Sequence, residues 1–278
     1  MDAFYERYFD LKRRGIPIMV VTAVAKEGSG PVDVGKKMVV FGERESFGTV
    51  GGGAIEHLAQ DQARQLLKER RHLLQTYLLD EEKVIPNTQT VPMVCGGQVT
   101  LYYEYVGPRA TVYLFGAGHV GQALARILHT LDFHLIVIDP RDEVLKRFEM
   151  ADEKYNDSFA DFITRNSLEP QSLVVVATPA HQSDYHVINK IIELQLEPRY
   201  VGMLCSPEKL ADYLERTTRE FGKEVNLSYF YSPIGLDTGG NTPEEIAVSI
   251  SAEMLAVIHG KTGHKHLREV HHAENHYW

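Results

Sequence analysis

An apolar, β-prone run, Thr111-Val112-Tyr113-Leu114-Phe115, feeds without a linker into Gly116-Ala117-Gly118-His119-Val120-Gly121, and the residues that follow keep helical periodicity to about Leu131. Few architectures accommodate that succession. A second apolar run at 133–138 ends on Asp139, so the segment reads as strand, tight turn, helix and strand. Two parallel strands joined in this way call for a sheet covered on both faces. Further apolar strands at 173–178 and 200–204 alternate with helical stretches near 183–196 and 207–221, which repeats the unit. Toward the end, Thr242-Pro243-Glu244-Glu245 combines an N-cap, a proline at the first helical position and a glutamate that reaches back, predicting a helix to about His259. Residues 108–278 are therefore expected to form a Rossmann-like, doubly wound parallel-sheet domain.

The stretch before it follows other rules. Phe4, Tyr5, Tyr8 and Phe9 share one face of a helix over 2–14, which Gly15-Ile16-Pro17 ends. Strands are expected at 18–24, 36–41 and 46–50, the last two forming a hairpin around Gly42-Glu43-Arg44-Glu45. From Ala54 to about Leu79, Leu58, Leu66, Leu67, Leu73 and Leu74 recur among charges as on one long amphipathic helix. The alternating run 98–106 should rejoin the first sheet, and Gly107-Pro108 marks the boundary. The expected organisation is α/β throughout, with a small mixed α/β domain at 1–107 ahead of the Rossmann-like one.

Charge and composition narrow the function classes. With 29 Lys+Arg against 38 Asp+Glu the formal net charge is −9, and the basic residues form no stripe beyond short runs such as Lys68, Arg70 and Arg71, so no nucleic-acid footprint is expected. No apolar run approaches the roughly 20 residues of a membrane span. The first residues lack the apolar core and cleavage site of a secretory signal, so the chain is expected to stay in the cytoplasm. Its two cysteines, Cys95 and Cys205, read there as free thiols. No G-x-S-x-G elbow occurs, so Ser183, Asp184, His181 and His186 do not read as a hydrolase set.

Three places carry chemistry. In the first, Gly116 permits a tight turn, Gly118 lets a pyrophosphate approach the backbone, and Gly121 lets helix and strand pack closely. Asp139 would take the ribose hydroxyls of an NAD-like ligand, whereas the neighbouring Arg141 offers a cation to a phosphorylated one. His119 either donates to a ligand phosphate or simply caps the helix in solvent. In the second, Gly51, Gly52 and Gly53 open a helix, where consecutive free amides form a cradle for an anion, or merely turn a hairpin end sharply into that helix. In the third, Cys95 followed by Gly96 and Gly97 presents a thiol with space around it, suited to a soft metal or to sulfur transfer, unless it is simply buried. The tail holds His264, His266, His271, His272 and His276, of which the last two are spaced for a metal on one helical face, although a polar tail with weak metal affinity is the favoured reading.

Taken together, Gly28-Ser29-Gly30-Pro31, Gly48-Thr49-Val50-Gly51-Gly52-Gly53-Ala54-Ile55-Glu56, Met93-Val94-Cys95-Gly96-Gly97, the turn at Gly116, Asp139-Pro140-Arg141, Tyr200-Val201-Gly202-Met203-Leu204 and Ser232-Pro233-Ile234-Gly235-Leu236-Asp237 resemble the XdhC/CoxI family. That family matures xanthine dehydrogenase and other molybdenum hydroxylases. The resemblance covers nearly the whole chain. It implies a non-catalytic, dimeric chaperone that binds the molybdenum cofactor, molybdopterin, and delivers it to a molybdenum hydroxylase apoenzyme beside a cysteine desulfurase. On that reading the cradle at Gly51, Gly52 and Gly53 takes the pterin phosphate, and Cys95 faces the metal. The sequence departs from the family at Val32-Asp33, where an Arg is usual, at Ala177-Thr178-Pro179-Ala180-His181, and at Cys205. An NAD(P)-dependent oxidoreductase built on the second domain is the alternative, and a structural or regulatory partner with neither site is a third.

Overall fold

The computed structural model describes residues 3–79, 89–91, 97–179, 181–222 and 225–261. The chain divides into two compact units, Met1–Pro108 and Arg109–Trp278.

The first unit runs α1 (Ala3–Arg13), β1 (Ile18–Glu27), β2 (Lys37–Phe41), β3 (Glu45–Gly48), α2 (Gly53–Glu69), β4 (Leu73–Leu79), β5 (Gln89–Val91) and β6 (Gly97–Val106). Its sheet has the order β3-β2-β1-β6-β4-β5, antiparallel except where β5 joins β4. β1 shows why an apolar run can be a strand here. Met19, Val21 and Ala23 pack with Ile55, Ala59, Ala63 and Leu66 of α2, while Ile18 and Val20 pack with Leu11 of α1 on the other face. Alternation between faces is present but invisible in the sequence, because both faces are apolar.

The long helix expected over 54–79 is corrected. α2 stops at Glu69, because Arg70 turns left-handed at φ 52° and the Arg70 and Arg71 amides bond back to Leu67 and Leu66 carbonyls at 3.3 and 3.1 Å. The last seven residues of that stretch are β4, paired antiparallel with β6 from Leu73↔Tyr103 to Leu79↔Gly97. Leucines at helical spacing lose to the free edge of β6, which offers a full ladder of backbone bonds and lets the buried Tyr77 and Tyr103 hydroxyls meet at 2.5 Å.

The second unit runs β7 (Thr111–Phe115), α3 (His119–Thr130), β8 (His134–Ile138), α4 (Asp142–Lys146), β9 (Glu153–Tyr155), α5 (Phe159–Asn166), β10 (Leu173–Val176), α6 (His181–Glu193), β11 (Tyr200–Met203), α7 (Pro207–Phe221), β12 (Phe230–Tyr231) and α8 (Pro243–Ile258). Every pairing is parallel, in the order β12-β11-β10-β7-β8-β9. Counted from its own first strand the order is 3-2-1-4-5-6, read from the other edge, so the topological switch lies between β7 and β10. Val112 and Leu114 join α3 and α8, whereas Tyr113 and Phe115 join α5, α6 and α7. This is the expected doubly wound sheet. α4 and β9 are too short to show a periodic signal, whereas α5, capped by Ser158 and burying Phe159, Phe162 and Ile163 on one face, carries one that the expected elements left out. α8 begins with the expected capping box, Thr242 accepting from the Glu245 amide and Glu245 from the Thr242 amide.

Inside α8 a buried carboxylate anchors the strand-to-helix loop, for Glu253 accepts from the Tyr200 hydroxyl at 2.6 Å and the Gly235 amide at 2.9 Å. No helix among the described residues is long and apolar enough to cross a membrane. Two stability outcomes follow from this packing. Leu124→Ala, at a fully buried position of α3, should lower the unfolding free energy by about 2–5 kcal/mol in denaturant titration, and a loss below roughly 1 kcal/mol would contradict the described packing. Glu253→Ala should cost about 1–3 kcal/mol for each donor left unpaired, whereas Glu253→Gln, which keeps an acceptor, should cost less.

Candidate functional site

In the first unit three segments meet around the loop at 28–32. A Cβ on Gly51 would lie 2.8 Å from the Pro31 carbonyl oxygen, one on Gly97 would lie 2.0 Å from that of Ser29, and one on Gly30 would strike Leu79 at 2.8 Å. Residues far apart in the chain are thus glycine for one reason, close backbone approach to a shared loop. Gly51, Gly52 and Gly53 take φ of 135, 78 and 65°, a succession that side-chain-bearing residues resist, and this turns the chain from β3 into α2.

Two of the three glycine amides of that turn, those of Gly51 and Gly52, are engaged within the chain. Glu56, in the first turn of α2, folds back so that Oε2 accepts from the Thr49 hydroxyl, from the Gly52 amide at 3.0 Å and from the Val50 amide at 3.3 Å. The Gly51 amide donates to Thr49 Oγ1 at 3.0 Å. Burial pushes the Glu56 carboxyl up, but bonds from the Thr49 hydroxyl and from the Gly52, Val50 and Gly51 amides outweigh it and hold the group below the ordinary glutamate value. The cradle exists, then, and it holds a carboxylate of the chain itself. The signal for this was legible in the sequence, since a glutamate one turn into a helix faces the orphan amides of its start. Cys95 and Gly96 lie outside the described residues, as do His264, His266, His271, His272 and His276 of the tail. Gly97 opens β6 beside the same loop.

In the second unit the turn after β7 sits at the topological switch. Gly116 has φ 115°, and a Cβ there would lie 2.2 Å from the Ala177 carbonyl oxygen at the end of β10. A Cβ on Gly121 would come within 2.4 Å of the Gly116 carbonyl oxygen. Gly118 differs from both, with an ordinary φ of −73° and no atom within 4 Å of where a Cβ would stand. It is the N-cap of α3, whose first turn has no side-chain cap and no acid, and His119 beside it is exposed.

Asp139 does not face outward as a ribose acceptor would. It is fully buried, and each oxygen accepts two bonds: Oδ1 from the Arg141 amide and Nε, both at 2.9 Å, and Oδ2 from the Ala117 amide at 2.8 Å and Arg141 Nη2 at 2.7 Å. Burial pushes its carboxyl up, but the Arg141 side chain and the two amides pull it below the usual aspartate value. The carboxylate ties the glycine turn to the end of β8, and the guanidinium lies over it, 42% exposed.

Other groups at the strand ends are likewise engaged. Asp184, buried in α6, takes the Thr178 amide at 3.1 Å and hydroxyl at 2.6 Å, so it closes the end of β10. Cys205 is half-buried with Sγ 3.0 Å from Ser232 Oγ, and burial pushes the thiol up. Among the described residues no group of three or more His, Cys, Asp or Glu is placed to hold a metal ion.

Comparison with known proteins agrees with this architecture. The XdhC Rossmann domain matches residues 112–254, and the XdhC and CoxI family matches residues 11–77. The uncharacterized protein YqeB of Escherichia coli (strain K12) is 27% identical over 91% of this chain and 46% of its own length. A probable xanthine dehydrogenase subunit of Bacillus subtilis (strain 168) is 32% identical over 56% of this chain and 45% of its own. The chain thus spans about half the length of the curated relatives it matches. A crystal structure of a xanthine dehydrogenase from Bacillus halodurans shares the fold, with a TM-score of 0.51 at 21% identity over 92% of this chain and 96% of that one. With both family domains matched in order, the chain belongs to the XdhC and CoxI family.

Proposed function

We propose that this protein matures a xanthine dehydrogenase-type molybdenum hydroxylase by binding the molybdenum cofactor and handing it to the apoenzyme, without turnover of its own. The observation that carries the reading is the convergence of the turn at Gly51, Gly52 and Gly53 with Gly97 on the loop at 28–32. Supporting it, the same place gathers a cradle occupied by a carboxylate of the chain and the start of β6, which follows Cys95 by two residues in sequence. When bound, the cofactor supplies the molybdenum centre of the client enzyme. The residues of this chain do the holding. Thr49 and the Val50 and Gly52 amides exchange Glu56 for the pterin phosphate, and Cys95 offers a soft donor to the metal end. A homodimer and a cysteine desulfurase partner, which supplies the sulfur, belong to the same proposal.

Expression in a molybdenum-replete host followed by mass spectrometry should find a molybdopterin species with the purified protein, and that sample should activate an apo-hydroxylase. A sample with neither pterin nor activating power would overturn the proposal. Cys95→Ala should weaken cofactor retention by about tenfold or more, the scale at which even an outer-shell partner of a metal acts. Unchanged retention and unchanged client activation would dismiss Cys95.

The role of Glu56 can be read independently. Its carboxyl is held below the ordinary value in the folded chain, so its contribution to stability is present at neutral pH and is lost as pH falls from the unfolded value near 4.5. Unfolding free energies of wild type and Glu56→Gln should therefore differ at neutral pH and converge on acidification. A difference that stays constant through the glutamate range would show that the charge is not what the turn holds.

A further inference from the structure

We infer that the second unit binds an adenine dinucleotide through the turn at Gly118 and selects one whose adenosine ribose carries a 2′-phosphate, with Arg141 reading the phosphate and Asp139 holding Arg141 in place. The inference concerns the second unit alone and stands apart from the cofactor cradle of the first.

Three observations converge on it. The turn contains one glycine that the chain itself does not require. Gly116 and Gly121 are glycine because backbone oxygens lie within 2.4 Å of where a Cβ would be, whereas Gly118 has both an ordinary φ and open space. Space without a neighbour, at the switch point of a 3-2-1-4-5-6 sheet, is where the pyrophosphate of a dinucleotide approaches backbone. Next, a ribose diol needs a carboxylate with open lone pairs at the end of the second strand, and the acid that immediately follows β8 is Asp139. That residue is 0% exposed and already accepts four bonds. Turning it outward would strip the Ala117 amide and leave Arg141 unpaired, a cost no pair of neutral hydroxyls recovers. Finally, the bidentate fork spends Nε and Nη2 on the carboxylate and leaves Nη1 outside the pair, on a guanidinium that is 42% exposed. The buried partner fixes the orientation, so the reader is pre-organised, and its positive end points away from the acid that neutralises it. The first turn of α3 itself carries no acid, and the one carboxylate against the turn, Asp139, is spent on the Ala117 amide and on Arg141.

Isothermal titration of the full chain with NADP⁺ and with NAD⁺ tests this directly. NADP⁺ should bind roughly tenfold or more tightly than NAD⁺, with the preference shrinking as salt rises. Arg141→Lys should lose most of the preference while remaining folded, since an ammonium keeps the charge next to Asp139 but not the fork. Gly118→Val, at a position with room for a side chain and an extended backbone, should abolish binding of both dinucleotides while lowering the melting temperature only slightly, by the loss of a favourable N-cap residue. Equal or tighter binding of NAD⁺, a preference untouched in Arg141→Lys, or no binding of either dinucleotide would each overturn the inference. None of these results bears on pterin retention by the first unit, so the two proposals fail separately.

Discussion

The second unit is organised by β7, a strand buried along its whole length on both faces. Val112 and Leu114 commit one face to α3 and α8, Tyr113 and Phe115 commit the other to α5, α6 and α7, and the parallel neighbours β8 and β10 close both edges. Such a strand must end in a turn that leaves the sheet within a residue or two, because neither face nor edge has room for more chain. Gly116 makes that exit against the Ala177 carbonyl, and the amides released by the turn become the chemistry at the switch point.

The two glycine turns obey one further constraint. An amide that leaves regular pairing needs an acceptor, and here each turn draws one from a carboxylate of its own unit. Glu56 reaches back to the Val50 and Gly52 amides, and Asp139 reaches across to that of Ala117. The two solutions differ in what a guest would displace. Glu56 is partly exposed and swings on one side chain, so exchanging it for a phosphate costs a local rearrangement. Asp139 is enclosed and carries Arg141 with it, so it stays, and a guest must deal with the guanidinium instead.

On the two readings proposed above, each half would hold one group by a different means. An anion exchanged against Glu56 would leave again when a client offered better contacts, as the proposed carrier role requires. A nucleotide read by a fixed guanidinium is a recognition event, not a transfer. At the end of β10, Asp184 is likewise engaged by its own chain, accepting from the Thr178 amide and hydroxyl.

Much of this was legible in the order of residues. Parallel strands covered on both faces, the turn at Gly116, the capping box at Thr242 and membership of the XdhC and CoxI family all rest on local signals, because strand runs, turn glycines and helix caps act over a few neighbouring residues. What tertiary structure decided was everything that depends on a partner distant in sequence. The leucines after Glu69 kept helical spacing, yet the open edge of β6 made them a strand. Gly51 and Gly97 looked like separate motifs until the loop at 28–32 touched both. Asp139 had the position of a ribose acceptor, and only the fold shows it turned inward on Ala117 and Arg141. Local propensity names the elements, but the satisfaction of buried polar groups is settled among neighbours that sequence alone does not bring together.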